Sequence, residues 1–109
     1  MPQLIHEIIM WGTQAYRAMI IEVQFFATFR EVFESKSVQM EVGTGATVND
    51  LLNLVCNTRE RRERVFDNGK LKPHIVVMKN GRHIQHLKGL ATVLNDGDTI
   101  SVFPPIAGG

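Results

Sequence analysis

One cysteine, Cys56, is all the thiol chemistry these 109 residues contain. A single thiol excludes an intrachain disulfide framework, a four-cysteine zinc site and a four-cysteine iron–sulfur cluster. It suits a reducing compartment, and the cytoplasm is the expected location. Charge of neither sign dominates, since 12 Lys and Arg against 11 Asp and Glu leave a formal net charge of +1. Composition therefore makes no electrostatic case for nucleic acid or for an anionic membrane. No apolar run approaches the roughly 20 residues of a membrane span. Residues 1–18 lack a basic n-region, and His6 and Glu7 interrupt their apolar stretch, so no secretory signal is read there.

What is present suits one globular domain: 44% of the residues are apolar, enough for a single core. Residues 1–18 stand apart from residues 19–109. Leu4, Ile5, Ile8, Ile9 and Trp11 recur at helical spacing after Pro2. The segment reads either as a short amphipathic helix or as an upstream extension outside the working domain, and both readings stay open. From Ile20 to Phe29 the pattern is that of a strand. Ile21, Val23 and Phe25 fall on one face; Glu22, Gln24 and Phe26 fall on the other. Val38, Met40 and Val42 alternate with Gln39 and Glu41 in a second strand. Arg30 to Ser37 reads as a polar connection between them, closing an antiparallel hairpin.

Thr47 and Asp50 have the spacing of a capping box, with Asp in place of the usual Glu or Gln. Val48, Leu51, Leu52 and Val55 then form the apolar stripe of a helix over about 48–57, ended by Asn57-Thr58. Arg59 to Val65 extends it by a turn or two. Asp67-Asn68-Gly69 marks a turn, His74 to Lys79 a strand, and Asn80-Gly81 the type I′ turn to a return arm at Arg82 to Ile84. Asn95-Asp96-Gly97-Asp98 is a further tight turn before a last strand, Thr99 to Phe103, which Pro104-Pro105 terminates. Hairpin, helix, then strands, with the helix crossing one face of a small mixed sheet, make an α+β roll of the β-grasp, ubiquitin-like kind.

The chemistry concentrates at the C-terminal end. Six residues follow Phe103 and end in Gly108-Gly109. Fully extended, they reach about 20 Å. Pro104 and Pro105 hold the base of this tail extended. The glycines carry no side chain, so they can thread a narrow channel in another protein's active site. A carboxylate is inert to nucleophiles until adenylated. After that it can pass to sulfur as a thiocarboxylate or to a lysine amine as an isopeptide. The chain has no machinery of its own for either step, so a partner must supply it. Phe26 and Phe103 are both expected on the sheet face opposite the core, side by side near the tail, as a docking surface. A one-residue register shift would turn both inward. Arg30 reads equally as a rim charge of that surface or as a solvated arginine.

Other candidates are weaker. Arg59-Glu60-Arg61-Arg62-Glu63-Arg64 mixes both signs, which favours a solvated helix face with local ion pairs over nucleic-acid binding. His74, His83 and His86 have no ligand partner at tight spacing, so no metal site is expected. Cys56 reads as a small buried hydrophobe. Asp96-Gly97-Asp98 reads as a turn rather than as catalytic carboxylates.

Two stretches resemble the molybdopterin synthase small subunit, the MoaD family. One is Met19 to Glu31 with its Phe25-Phe26-Ala27. The other is Asn95 to Asp98 followed by Phe103-Pro104-Pro105-Ile106-Ala107-Gly108-Gly109. The stretch Arg64 to Asn80-Gly81 is most similar to archaeal members, including small archaeal modifier proteins. The resemblance covers residues 19–109 and implies a β-grasp sulfur carrier. An E1-like enzyme would use ATP and magnesium to adenylate Gly109, with no cofactor bound by the chain itself. Sulfur transfer would then give a thiocarboxylate. The tail, with Gly108, would enter the large synthase subunit, which adds sulfur to precursor Z. Phe26, Arg30 and Phe103 match family positions at that interface, with Pro104, Pro105 and Ile106 beside them. The archaeal relatives imply a second use, conjugation to lysines of target proteins. A thiamine-type sulfur carrier and an RNA-binding β-grasp module are the remaining alternatives.

Overall fold

The computed structural model describes residues 18–106. The N-terminal helix-or-extension reading and the glycines of the tail lie outside the described residues. Strand β1 (Ala18–Phe25) pairs antiparallel with β2 (Ser37–Gly43) and parallel with β7 (Thr99–Phe103). On its other side β7 pairs antiparallel with β5 (Val76–Lys79), and β5 with the short β6 (Arg82–His83). The five-stranded sheet therefore has the order β2-β1-β7-β5-β6. A separate two-stranded ribbon joins β3 (Phe66–Asp67) to β4 (Lys70–Leu71). This is the β-grasp, ubiquitin-like architecture.

Helix α2 (Val48–Val55) crosses one face of the sheet. Its capping box is complete: Asp50 N–H donates to the Thr47 hydroxyl at 3.2 Å, and Thr47 N–H donates to the Asp50 carboxylate at 2.9 Å. That arrangement satisfies two of the unpaired donors at the helix start. Val48, Leu51, Leu52 and Val55 are buried from this helix, facing Ile21, Val23, Phe25, Val77, Ile100 and Val102 from the strands. The alternation read from the sequence therefore fixes the core face of both β1 and β7.

Three boundaries differ from the sequence reading. First, β1 stops at Phe25, and the chain enters a one-turn helix, α1 (Phe29–Val32), where a polar connection is expected. Phe29 and Phe33 are buried, and the Phe33 ring stacks on Phe25 with centroids 4.3 Å apart. The segment is thus part of the core, with its aromatics spaced one helical turn apart. Second, α2 ends at Val55 with Cys56 as its cap, and α3 (Arg59–Val65) is a separate helix. Thr58 starts α3 rather than ending α2, since its hydroxyl accepts from Arg61 N–H at 3.1 Å. Third, the strand expected from His74 begins at Val76, because His74 has a left-handed backbone with φ 69°. The Asn-Gly turn reading holds: Asn80 and Gly81 have φ 50° and 83°, as a type I′ turn demands.

Candidate functional site: an aromatic face at the base of the tail

Two turn residues set the position of the last strand. Asp96 accepts a hydrogen bond from Ile20 N–H at 2.7 Å, and Gly97 N–H donates to the Ile20 carbonyl at 3.0 Å, pinning β7 against β1. Asp98 accepts from Asn95 N–H at 2.7 Å and from the Asn80 amide at 2.9 Å, and it lies 3.5 Å from the Lys79 ammonium. Asn80 in turn accepts from Thr99 N–H at 2.9 Å, which pins β7 against β5. These carboxylates hold backbone and turn groups, which is the turn reading of Asp96-Gly97-Asp98.

With the register so fixed, Phe25 pairs with Val102, and the next residue of each strand lies on the open face. Phe26 and Phe103 stack there, with ring centroids 4.3 Å apart and planes 14° from parallel. The turn that closes β1 completes the cluster. Ala27 takes a left-handed φ of 51°, and Phe29 and Arg30 N–H groups donate back to the Phe26 and Ala27 carbonyls at 3.0 and 3.1 Å. That reversal swings Arg30 over Phe26, its guanidinium carbon 5.6 Å from the ring centroid. Arg30 Nε also donates to the Phe25 carbonyl at 3.0 Å, so this arginine is fixed at the edge of the pair rather than freely solvated.

A groove of about 770 Å³ runs from this pair along the base of the tail, with Val76 and Met78 on its floor and Phe103, Pro104, Pro105 and Ile106 along it. Ile106 is 83% exposed and Pro105 is exposed, so the chain leaves the sheet over open space. Val76 and Met78 are functional candidates that the sequence reading did not single out. Their signal was available, because both alternate with the buried Val77. Ala27 and His74 also line the groove, each with a left-handed backbone that L residues seldom adopt. The structure thus brings together Phe26, Arg30, Phe103, Pro104, Pro105 and Ile106, while Gly108 and Gly109 lie outside the described residues.

The remaining candidates sit elsewhere. Cys56 is buried, and burial pushes its thiol up to about 11 against the opposing pull of Arg62 and Arg61. A thiol so held is a packing group at neutral pH. The charge run is less solvated than expected. Arg59 and Glu63 form the local pair at 3.4 Å, but Arg61 reaches across to the Val32 carbonyl at 3.1 Å and to Glu34 at 3.2 Å, over the Phe33 ring. Among the described residues no helix is long and apolar enough to cross a membrane. None of their His, Cys, Asp and Glu side chains cluster in threes to hold a metal.

A family model for the ThiS family matches residues 23–109. The chain belongs to that family. This ThiS/MoaD group comprises ubiquitin-like sulfur carriers, so the resemblance read from the sequence holds at the level of the family. The chain is 50% identical over 92 residues to Small archaeal modifier protein 3 of Haloferax volcanii, a match covering 84% of this chain and all of that one. It is 36% identical to Small archaeal modifier protein 1 of the same organism, over 82% of this chain and all of the relative. Its fold is similar to the crystal structure of that modifier protein 1, with a TM-score of 0.71 at 32% identity, covering 81% of this chain and 99% of the other. The solution structure of the Haloferax volcanii HVO 2177 protein gives a TM-score of 0.73 at 49% identity, covering 84% and 88% of the two chains. This ThiS-family chain is accordingly a small ubiquitin-like protein of the sulfur-carrier and modifier type.

Proposed function

We propose that this ThiS-family protein works through the carboxylate of Gly109, presented beside an aromatic docking face. In the first step an E1-like enzyme binds ATP and magnesium. The Gly109 carboxylate attacks the α-phosphorus, pyrophosphate leaves, and an acyl adenylate forms. A nucleophile then attacks the acyl carbon and AMP leaves. Sulfide yields a thiocarboxylate directly. A persulfide first yields an acyl disulfide, which a second thiol of the partner cleaves to the thiocarboxylate and a disulfide. A lysine amine yields an isopeptide. The residues of this chain bind and orient: Phe26, Phe103 and Arg30 dock the partner, Pro104 and Pro105 hold the tail off the sheet, and Gly108 and Gly109 enter the channel. The observation that carries the reading is the stacked Phe26–Phe103 pair at the foot of the tail, since it couples a binding face to the reactive end.

Two acceptors follow from different observations. Similarity to Small archaeal modifier protein 3 along that relative's whole length favours conjugation to lysines of target proteins. The clustering of Phe26, Arg30 and Phe103 favours a role as small subunit of molybdopterin synthase, because the MoaD resemblance puts those positions at the large-subunit interface. Intact mass after incubation with the E1-like enzyme, ATP and a sulfur donor tests the shared step. A thiocarboxylate on Gly109 is the expected product, and an unchanged mass with a competent enzyme overturns the proposal. Conjugates in the source cell that vanish on deleting Gly108-Gly109 identify the modifier role. Sulfur delivery to precursor Z in the presence of the large subunit identifies the molybdopterin role.

A further inference from the structure

The edge of the sheet farthest from β5 and β6 is formed by β2, and the hydrogen-bond pattern shows how much of it is open. Phe25 N–H donates to the Lys36 carbonyl at 2.9 Å, so on β2 the even-numbered residues Val38, Met40 and Val42 turn their backbone groups towards β1. Ser37, Gln39, Glu41 and Gly43 turn theirs outward. Both ends of this row are closed. Ser37 N–H donates to the Ser35 hydroxyl at 3.2 Å, that hydroxyl donates to the Ser37 carbonyl at 2.6 Å, and the Gly43 carbonyl accepts from Ala46 N–H at 3.1 Å. The middle, Gln39 and Glu41, has no backbone partner on its outer side among the described residues. The seven-residue strand also lacks the lysine or proline that usually guards an edge.

The surroundings of this slot define what fits it. On the core side, Val38 and Met40 are half-buried, and a cleft of about 420 Å³ lies between β2 and α2, where Leu54 is 48% exposed. On the open side the nearest charges are acidic. Glu41 projects beside Ile20, and Glu22 lies one strand in and opposite Gln39; on the core side Asp50 adds a further carboxylate at the cleft. Lys36 is the basic residue at the Ser37 end, so the acidic end of the slot is the Glu41 end.

We infer that β2 is a second docking site, which takes an extended segment of a partner protein as a sixth strand. The segment carries apolar side chains at alternate positions facing Val38, Met40 and Leu54, and basic ones between them, facing Gln39 and Glu41. Backbone pairing gives affinity and the alternation gives specificity. Two strands, β1 and β7, separate the slot from β5, the floor of the tail groove, so a partner here binds while the tail is engaged or covalently attached.

The test uses the full chain labelled with ¹⁵N and a synthetic heptapeptide of alternating valine and arginine. Amide shifts confined to Gln39, Glu41 and Leu54 are expected. N-methylation of the peptide amides that face β2 should weaken binding about tenfold, as the loss of two hydrogen bonds implies. Glu41→Lys should weaken it about fivefold, and a peptide with its valines and arginines in separate blocks should weaken it comparably. Equal binding of the N-methylated or block peptide overturns the proposal, as do shifts centred on Phe103. So does dimerisation of the chain through the same amides without peptide, seen by sedimentation, because a second copy is then the occupant.

Discussion

The two faces of one sheet use the same strands for opposite ends. On the covered face, Ile21, Val23, Phe25, Val77, Ile100 and Val102 are at most 1% exposed, and α2 seals them. On the open face, Phe26, Phe103, Val76 and Met78 are only half-buried, and the last three line the open groove at the base of the tail. Phe25 and Phe26 are adjacent in sequence and each stacks on another phenylalanine at a centroid distance of 4.3 Å. One stack is core and the other is surface. A strand's period of two is enough to divide neighbouring, chemically identical residues between stability and recognition.

The largest effect that tests this division lies beyond both faces. Removing Gly109 should abolish adenylation and every downstream adduct, read by intact mass, while leaving the thermal unfolding curve unchanged. Next, Phe25→Ala should destabilise the fold by about 3–5 kcal/mol, as expected for a phenylalanine removed from a packed core, measured by urea unfolding. Asp98→Ala leaves Asn95 N–H, the Asn80 amide and Lys79 without their shared acceptor, and should cost about 2 kcal/mol on the same scale. Phe26→Ala should cost only about 1 kcal/mol of stability, the order of one exposed aromatic pair. Its binding to the E1-like partner should nevertheless fall about tenfold or more, as for an interface anchor. Equal stability losses for Phe25→Ala and Phe26→Ala would erase the distinction between the faces. The smallest effect concerns Cys56. Its folded thiol titrates at about 11 against an ordinary 9.0, so the folded state holds the proton longer. That contribution is full below about pH 9 and is lost as the pH rises towards 11. The slope of stability against pH in that window should flatten in Cys56→Ala, and alkylation of the native thiol at pH 8 should be slow.

Much of this was legible in the residues because it depends on local rules. The alternation of Ile21, Val23 and Phe25 gave the core face, Thr47 and Asp50 the start of α2, and Asn80-Gly81 the hairpin. The facing of Phe26 and Phe103 was legible for the same reason. What could not be read either carries no periodic or turn signal or depends on distant partners. Phe29 looks like the end of a strand until Phe25 and Phe33 are seen to enclose one buried cluster with it. Arg61 looks solvated until the Val32 carbonyl and Glu34, far away in sequence, come into reach. Residues 84–98 have no strong period. Their 3₁₀ turns rest on contacts such as the Thr92 hydroxyl with the Gly89 carbonyl and Lys88 N–H. The fixing of Arg30 needed the left-handed Ala27, which an alanine does not announce.

The placement of β7 has a mechanical consequence. It runs in the middle of the sheet, parallel to β1 on one side and antiparallel to β5 on the other. A pull on the tail acts along the axis of this strand, across two ladders of hydrogen bonds that lie perpendicular or slanted to it. The load is borne in shear by all of those bonds together, rather than by opening one pair at a time from an edge. A motor pulling on a protein joined to this tail would therefore meet the resistance of the domain at once and at full strength.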